Sequence, residues 1–369
     1  MITIYFIKKQ SDRAAFLFYG RLDFCWAFVA CLSGRLASHT SVINLRRSMF
    51  TECKPSTITV MLIRRSFLKL SAAAALAPLM PNAINASLMN SGGPFRFCLN
   101  TSTISGQKPG LLRSIEIAAA AGYDGIELWI RDIQDWLAQG NSIEHLSKFI
   151  KAKNIRVENA ISFTEWMVDD DDKRSHALAE LEKEMQMMAA LGCPRIAAPP
   201  AGVMKGSTLD FAKAGARYRE ILSLGRKKHG VMPLLEFWGG SGTLYNFSQA
   251  VAIAAAADDP DARILPDVYH LFRGGSGFDC LNLVNGKVID IIHMNDYPAG
   301  KPVNELTDAD RVYPGDGAAP FKKILRTLKA IGGTKVLSLE LFNKGYWQQD
   351  ALLVAKTGLQ KMKKLVNDI

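Results

Sequence analysis

Short apolar runs alternate with longer amphipathic runs from residue 95 to the C-terminus. The short runs have the length and the content of Val, Ile, Leu and Phe expected of buried strands, whereas the longer runs repeat apolar residues at helical spacing. Such alternation is typical of successive strand–helix units. The runs predicted to be strands are FRFCLN (95–100), GIELWI (125–130), RVENAIS (156–162), RIAAPP (195–200), MPLLEFW (232–238), ARILPDV (262–268), VIDIIHMN (288–295) and KVLSLELF (335–342).

Eight strands is the number that closes a parallel barrel. The sequence therefore predicts one α/β domain, a (β/α)8 barrel, over residues 95–369. Several predicted helices end in glycine, which tolerates the positive φ of a helix end. Only the sixth connection, RGGSGFDCLNLVNGK, is a poor helix, and we expect it to be short or irregular. The glycines at predicted helix ends are Gly122, Gly192, Gly230 and Gly332.

The formal net charge of +10 is concentrated in the first 86 residues. That segment holds 11 Lys and Arg against three Asp and Glu, a balance of +8, and the remaining 34 basic and 32 acidic residues nearly cancel. A near-neutral body lacks the cationic groove that nucleic acid backbones require. The sequence therefore predicts a small-molecule partner and no nucleic acid, and it leaves a homo-oligomer open.

Residues 61–86, MLIRRSFLKLSAAAALAPLMPNAINA, have a basic start, a short apolar stretch and a small-residue end, as signal peptides do. The run RRSFLK resembles a twin-arginine signal, which predicts export and a periplasmic location. The apolar stretch is too short to span a bilayer, so no stable membrane anchor is expected. Residues 87–94 are interpreted as a linker. Residues 1–60 show neither helical periodicity nor strand alternation, and we interpret them as a non-native upstream extension, with translation starting at Met61.

Four consecutive predicted strands carry, near their C-terminal ends, side chains that commonly bind metal ions. Glu236 ends LLE, Asp267 ends ILPD, His293 ends DIIH and Glu340 ends LSLE. In a barrel of this type the C-terminal strand ends form one functional mouth, so residues distant in sequence can meet there. Three carboxylates and one imidazole suit Mn²⁺, Zn²⁺, Co²⁺ or Mg²⁺. The sequence therefore predicts one divalent metal ion held by these four residues.

Longer segments of the barrel carry a family resemblance. FCLNTSTI, GYDGIELWIRD, ENAISF, LLEFWG, LPDVYHLFRGG, IIHMNDYP, DRVYPGDG and SLELFNKGYW span nearly all of residues 95–369. Through them the chain resembles the xylose isomerase-like TIM-barrel superfamily of sugar isomerases and epimerases, and within it the inosose (2-keto-myo-inositol) isomerase branch. The resemblance implies the same four metal ligands, and it implies that Glu236 and Glu340 move protons.

The predicted reaction moves a carbonyl group along a sugar or inverts a centre beside one. Either outcome requires removal of a proton from the carbon next to the carbonyl group. The resulting enediolate carries negative charge on oxygens, which a bound cation stabilises. A base and an acid must flank the substrate, and Glu236 and Glu340 are the predicted pair. The sequence thus predicts a metal-dependent isomerase or epimerase acting on a sugar or a keto-polyol.

Five further residues are predicted to bind the substrate. The resemblance implies that His270 and Arg273 line the pocket, although backbone bonding near a strand end is the alternative role for His270. Trp238 is expected to stack on the apolar face of a sugar ring. Glu127 is expected to face the pocket from an earlier strand, and Asp296 to order water or bind substrate.

Other functions compete with an isomerase. A dehydratase or hydratase acting on a keto-sugar or inosose would use the same site but expel a β-hydroxyl group. An endonuclease IV-like enzyme needs several zinc ions and many histidines, whereas the barrel has five histidines. A sugar-binding barrel without turnover is disfavoured because both predicted proton-transferring glutamates are present.

Overall fold

A computed structural model of the chain describes residues 93–203 and 206–369 in full, and three short strands before them as backbone. All eight predicted barrel strands are present, and they pair in parallel. The predicted fold is therefore confirmed. The strands are β1 (Phe95–Asn100), β2 (Gly125–Trp129), β3 (Arg156–Ile161), β4 (Arg195–Ala198), β5 (Met232–Glu236), β6 (Ile264–Leu265), β7 (Ile291–Met294) and β8 (Lys335–Leu339).

The strands form two arcs of parallel sheet, in the orders β7-β8-β1-β2-β3 and β4-β5-β6. The arcs meet where β6 approaches β7. There Asp267 and His293 form a parallel bridge, and the His293 backbone N–H donates to the Pro266 carbonyl at 2.9 Å. Because every pair is parallel, the C-terminal ends of all the strands lie at one end of the barrel.

Helices follow the strands, and all the predicted ones are present. Each of the four glycines predicted at helix ends has a positive φ, between 69° and 90°, because the left-handed conformation there is least costly for glycine. A π-turn at Gly225–His229 extends α5. The helices are α1 (Leu111–Ala121), α2 (Ile130–Ala138), α3 (Ile143–Ala152), α4 (Asp171–Leu191), α5 (Phe211–Leu224), α6 (Phe247–Ala257), α7 (Val268–Arg273), α8 (Phe321–Ala330) and α9 (Ala351–Asn367).

Alternation along the strands divides the barrel into an inner and an outer layer. In β2, Ile126 and Leu128 pack outward in the main core, whereas Glu127 and Trp129 face the barrel interior. The lower interior contains an ion-paired carboxylate, Glu158. Its oxygens accept from Arg96 at 3.0 Å and from Arg195 at 2.5 Å. Two guanidinium groups offset the cost of burying this charge.

Three elements differ from the sequence prediction, and one of them is helix α7, which directly follows Asp267 where no helix was predicted. Helix α2 was not predicted, because its first residue, Ile130, was included in the preceding strand. Its buried residues, Ile130, Ile133 and Trp136, are three apart and form one helical face. Strand β6 is only two residues long because Pro266 has no N–H to continue the ladder. The predicted sixth connection, after α7, is irregular, with one 3₁₀ turn at Asp279–Leu283.

The chain divides into two units, residues 1–80 and residues 81–369. The described backbone of the first unit is a three-stranded antiparallel sheet of Thr3–Ile7, Ala14–Tyr19 and Ala30–Leu32. No strand was predicted in this stretch. The three strands are rich in apolar and aromatic residues, which are typical of strands, but their apolar and polar residues do not alternate. The predicted signal peptide lies outside the described residues. Among the helices that are described, none has the length and apolar character needed to cross a bilayer.

Candidate active site

The four predicted metal ligands converge at the C-terminal end of the barrel. Glu236 ends β5, Asp267 follows β6, His293 lies in β7 and Glu340 follows β8. The Nδ1 atom of His293 lies 3.2 Å from Glu340 Oε2, 3.6 Å from Asp267 Oδ2 and 3.9 Å from Glu236 Oε1. The structure therefore places three carboxylates around one imidazole nitrogen, with Asp267, His293 and Glu340 forming the tightest group and Glu236 lying outside it.

A divalent cation fits this cluster. Ligand atoms of Asp267, His293 and Glu340 lie within 4.8 Å of one another. Within the described part of the chain, Nδ1 of His293 and Oε2 of Glu236 are buried and have no hydrogen-bond partner. Buried polar atoms left without partners are costly, and coordination of a cation would satisfy both. Oxygen and imidazole ligands in this ratio suit zinc, manganese, cobalt or magnesium.

Burial strongly affects the protonation of the cluster. It raises the pKa of the Glu236 carboxyl to about 8, although His293 opposes the shift. Burial alone would lower the pKa of His293, but the negative charges of Glu340 and Glu127 outweigh it and raise this pKa well above its usual value. The metal-free cluster thus retains protons that a bound cation would replace.

Arg311 occupies the centre of the site and was not predicted. It is 2% exposed, and its Nη1 donates to Asp267 Oδ2 at 2.9 Å and to Glu340 Oε2 at 2.8 Å. Its Nη2 donates to Asp308 Oδ1 at 2.8 Å and to His270 Nε2 at 3.1 Å. Although burial opposes ionisation of Asp267, Arg311 and His270 hold its pKa well below the usual range.

His270 is a neutral member of this network. Burial lowers its pKa to about 4, so the imidazole is uncharged at pH 7. Arginine only donates hydrogen bonds, so Nε2 of His270 accepts from Arg311. The hydrogen of the neutral ring is therefore inferred to lie on Nδ1. His270 thus lines the cavity, as predicted, but the partner of its ring is the Arg311 side chain and not the backbone.

A cavity of about 420 Å³ opens above the cluster. Trp238, His270 and Arg273 line it, where the sequence analysis placed them. Arg273 lies 5.8 Å from the centre of the Tyr269 ring and against Gly240, where a Cβ atom would come within 2.8 Å of the guanidinium carbon. The aromatic residues of the cavity wall are Trp129, Phe163, Trp238 and Phe342. Their rings are spaced 5.4–6.2 Å apart, which forms an apolar surface suited to a small ring.

Two residues predicted to bind substrate lie elsewhere. Asp296 is fully buried, lies two residues beyond the end of β7 and does not line the cavity. Its carboxylate accepts four backbone N–H groups, from Tyr297, Gly315, Gly317 and Ala319, at 2.8–3.0 Å. Asp296 therefore organises the loop after Arg311 instead of contacting the cavity.

Glu127 is the second correction. It faces the barrel interior, but it is the third residue of β2 and lies one layer below Trp129, the strand's last residue. Trp129 lines the cavity, whereas Glu127 is fully buried beneath it against His293, with Glu127 Oε1 3.1 Å from His293 Nε2. Its predicted role in binding substrate is not supported by this position.

Arg311 and Asn295 were missed for different reasons. Arg311 lies in the long connection between β7 and α8, where no periodicity marks a functional side chain, whereas Asn295 ends a predicted strand but carries an amide, which was not considered as a metal-site residue. Asn295 is fully buried and donates to Asp267 Oδ2 at 2.7 Å, which orients that carboxylate. The available signals were the segments HMND and DRVYPGDG, which carry both residues within the family resemblance.

Comparison with known proteins agrees with this geometry. A family model described as xylose isomerase-like TIM barrel matches residues 115–365. Inosose isomerase of Bacillus velezensis is 28% identical over 277 residues, which are 74% of this chain and 97% of that protein. The crystal structure of the IolI protein with a binding zinc atom superposes with a TM-score of 0.68 at 25% identity, covering 74% of this chain and 98% of that one.

A weaker similarity points to a different reaction class. The 3-dehydroshikimate dehydratase of Pseudomonas putida is 23% identical over 269 residues. The aligned region is 71% of this chain but only 40% of that protein.

Proposed function

The chain belongs to the xylose isomerase-like TIM-barrel family, and from this premise we propose that it is a divalent-metal-dependent isomerase or epimerase of a sugar or keto-polyol. Its similarity to inosose isomerases, which it matches over 93–97% of their length, supports an isomerase or epimerase. The observation that carries the proposal is the convergence of Glu236, Asp267, His293 and Glu340 beneath a cavity of small-molecule size.

Glu236 and Glu340 are the proposed acid and base. Both line the cavity and both belong to the ligand cluster, so a substrate that reaches the cluster lies against both carboxyl groups. One carboxylate removes the proton from the carbon beside the carbonyl group, and the other returns a proton to the neighbouring or the same carbon. A bound divalent cation supplies Lewis-acid polarisation of the substrate oxygens.

Other residues bind and orient the substrate in this proposal. Arg311, held between the rings of Tyr269 and Phe342 at 4.7 and 5.0 Å, places a fixed positive charge where oxygen becomes negative. Trp238 and the neighbouring rings cover the apolar face of the sugar and exclude water.

Hydrogen exchange with solvent tests the proposal. The full chain loaded with Zn²⁺ or Mn²⁺ is incubated in D₂O with a panel of ketoses and inososes, and deuterium on the substrate carbons is measured by NMR. We expect incorporation with the wild type and a loss of about 100-fold or more in Glu340→Gln, because general acid–base catalysis contributes about 10²–10⁴-fold.

The matched control is Glu184→Gln, which changes a buried glutamate bonded to Ser162 and outside the cavity. This variant should exchange deuterium like the wild type. Metal content is measured for each variant, so that loss of the cation is not mistaken for loss of the acid or base. Wild-type exchange retained in metal-loaded Glu340→Gln would refute the assignment of Glu340.

A dehydratase is the second candidate, favoured by the similarity to 3-dehydroshikimate dehydratase. The same proton abstraction followed by expulsion of a β-hydroxyl group would give a product lighter by one water. Mass spectrometry of the ketose panel distinguishes the two outcomes. A dehydrated product would replace the isomerase proposal.

We also propose that the protein is exported. The proposal rests on the resemblance of residues 61–86 to a twin-arginine signal. N-terminal sequencing of the native protein should find a start close to residue 87. A native N-terminus within residues 1–60 would contradict both the export signal and the interpretation of residues 1–60 as an upstream extension.

A further inference from the structure

We infer that Glu127 fixes which nitrogen of His293 carries a hydrogen, and thereby presents the other nitrogen, Nδ1, to the cation. The inference rests on the proposed function, because it takes the cation as the ligand of the cluster. Glu127 is thus a positioning residue: it contacts His293 and is separated from the cavity by Trp129.

The two nitrogens of His293 have different surroundings. On one side of the ring, Nε2 lies 3.1 Å from Glu127 Oε1. On the other side, Nδ1 is directed toward the carboxylates of Glu236, Asp267 and Glu340 at 3.2–3.9 Å. Both Glu127 and His293 are 0% exposed, so water does not compete for either nitrogen.

The surroundings of Glu127 require an ionised carboxylate that only accepts. Its Oε1 accepts from Asn159 Nδ2 at 2.6 Å, and its Oε2 accepts from Asn100 Nδ2 at 2.8 Å and from Ser338 Oγ at 2.6 Å. Three donors from three other strands hold the carboxylate at one orientation. The remaining partner, His293 Nε2, must therefore be a donor.

This bond selects the ring form that can bind a cation. Neutral imidazole carries one hydrogen, and a nitrogen that carries hydrogen cannot coordinate a metal ion. With the hydrogen held on Nε2 by Glu127, the lone pair of Nδ1 is directed at the carboxylates of the cluster. A carboxylate behind a metal-binding histidine is a recurrent arrangement, and its loss typically weakens metal binding 10- to 100-fold.

An amide in place of this carboxylate disturbs the selection. In the Glu127→Gln variant, the NH₂ group of the new side chain would occupy the position of either Oε1 or Oε2, and both oxygens now accept hydrogen bonds. Toward Asn159 and His293, the NH₂ group would meet two donors, and His293 would relieve the conflict by moving its hydrogen to Nδ1, where it blocks the cation. Toward Asn100 and Ser338, the NH₂ group would meet another NH₂ group and a hydroxyl group that now donates.

Metal affinity measured on the full chain tests the inference. The protein is stripped with a chelator, and the dissociation constant for Zn²⁺ is measured by competition with a chromophoric chelator at fixed pH. We expect Glu127→Gln to bind Zn²⁺ about 10- to 100-fold more weakly than the wild type. Glu184→Gln, a buried glutamate on α4 outside the cluster, should bind as the wild type does.

Glu127→Asp separates position from charge. It keeps the negative charge but withdraws the carboxylate by one methylene from its 3.1 Å contact with His293. We expect its Zn²⁺ affinity to lie between those of the wild type and Glu127→Gln. Wild-type Zn²⁺ affinity in Glu127→Asp would overturn the positioning role, because the negative charge alone would then be sufficient. If Glu127→Gln does not fold, the affinity of Glu127→Asp decides the question.

The outcomes also separate this inference from the proposed function. A wild-type protein that binds no divalent cation contradicts the proposed function itself. A wild type that binds Zn²⁺, together with equal affinity in Glu127→Gln, contradicts only the role of Glu127.

Discussion

Replacement of Arg311 by Met removes a buried positive charge from the candidate site. The side chain is 2% exposed, and its Nη1 lies 2.8–2.9 Å from Glu340 and Asp267. Methionine is also long and flexible but carries no charge, so the metal-free variant keeps two buried carboxylates that have lost their shared cation. Breaking a buried ion pair by removing one partner costs about 3–5 kcal/mol.

This free energy corresponds to a readily measured change in melting temperature. Unfolding entropy is about 2.1 cal/mol/K per residue, so for a barrel of this size a loss of 3–5 kcal/mol lowers Tm by about 5–9 °C. The expected shift applies to the metal-free protein. A divalent cation bound by the cluster adds positive charge beside the same carboxylates, so the variant should lose less stability when metal is bound.

The assay is thermal unfolding followed by circular dichroism, in EDTA and again in saturating Zn²⁺. The control is Arg113→Met, whose exposed ion pair with Glu116 should contribute less than about 1 kcal/mol. Equal losses of Tm for Arg311→Met in the two conditions would show that Arg311 acts by packing alone. An unchanged Tm in EDTA would refute the pairing with the carboxylates.

Two further predictions concern pH and the loop after Arg311. Glu236 and His293 bind protons more tightly in the folded state than in the unfolded state, so their deprotonation at higher pH destabilises the fold. His270 has the opposite effect, but only below pH 6.5. The urea concentration at the unfolding midpoint, measured in EDTA, should therefore decrease as the pH is raised from 6.5 to 8. In saturating Zn²⁺ the midpoint should not decrease, since cation binding strengthens as protons leave. A midpoint that rises with pH in EDTA would contradict the prediction. Asp296→Asn should lower the free energy of unfolding by about 2–3 kcal/mol, because the amide replaces one of the two carboxylate oxygens that together accept four backbone N–H groups. It should also speed hydrogen exchange of the amides at 315–319, and unchanged exchange there would show that other contacts hold the loop.

The strand framework and the convergence of the ligands could be predicted because both follow from periodicity. Apolar runs of strand length define β1 to β8, and a parallel barrel gathers their C-terminal ends whatever the sequence separation. The length of β6 was not predictable in this way, since Pro266 ends its hydrogen bonding locally.

The roles of individual polar residues were harder to predict. Glu127 and Asp296 were both assigned to the substrate because they lie close to strand ends, yet one is a layer too deep and the other faces away. Sequence alone does not specify depth within a barrel. Arg311 lies in an irregular connection, where position depends on the Asp296 hydrogen bonds and on close packing at Gly317, which has no space for a Cβ atom.

The ion-paired Glu158 limits how small molecules can reach the site. With Arg96 and Arg195 it fills the barrel interior at the end opposite the mouth. Substrate and product must therefore enter and leave through the same opening, the mouth at the C-terminal ends of the strands. Product still in the cavity blocks the next substrate, so we expect product to inhibit turnover competitively.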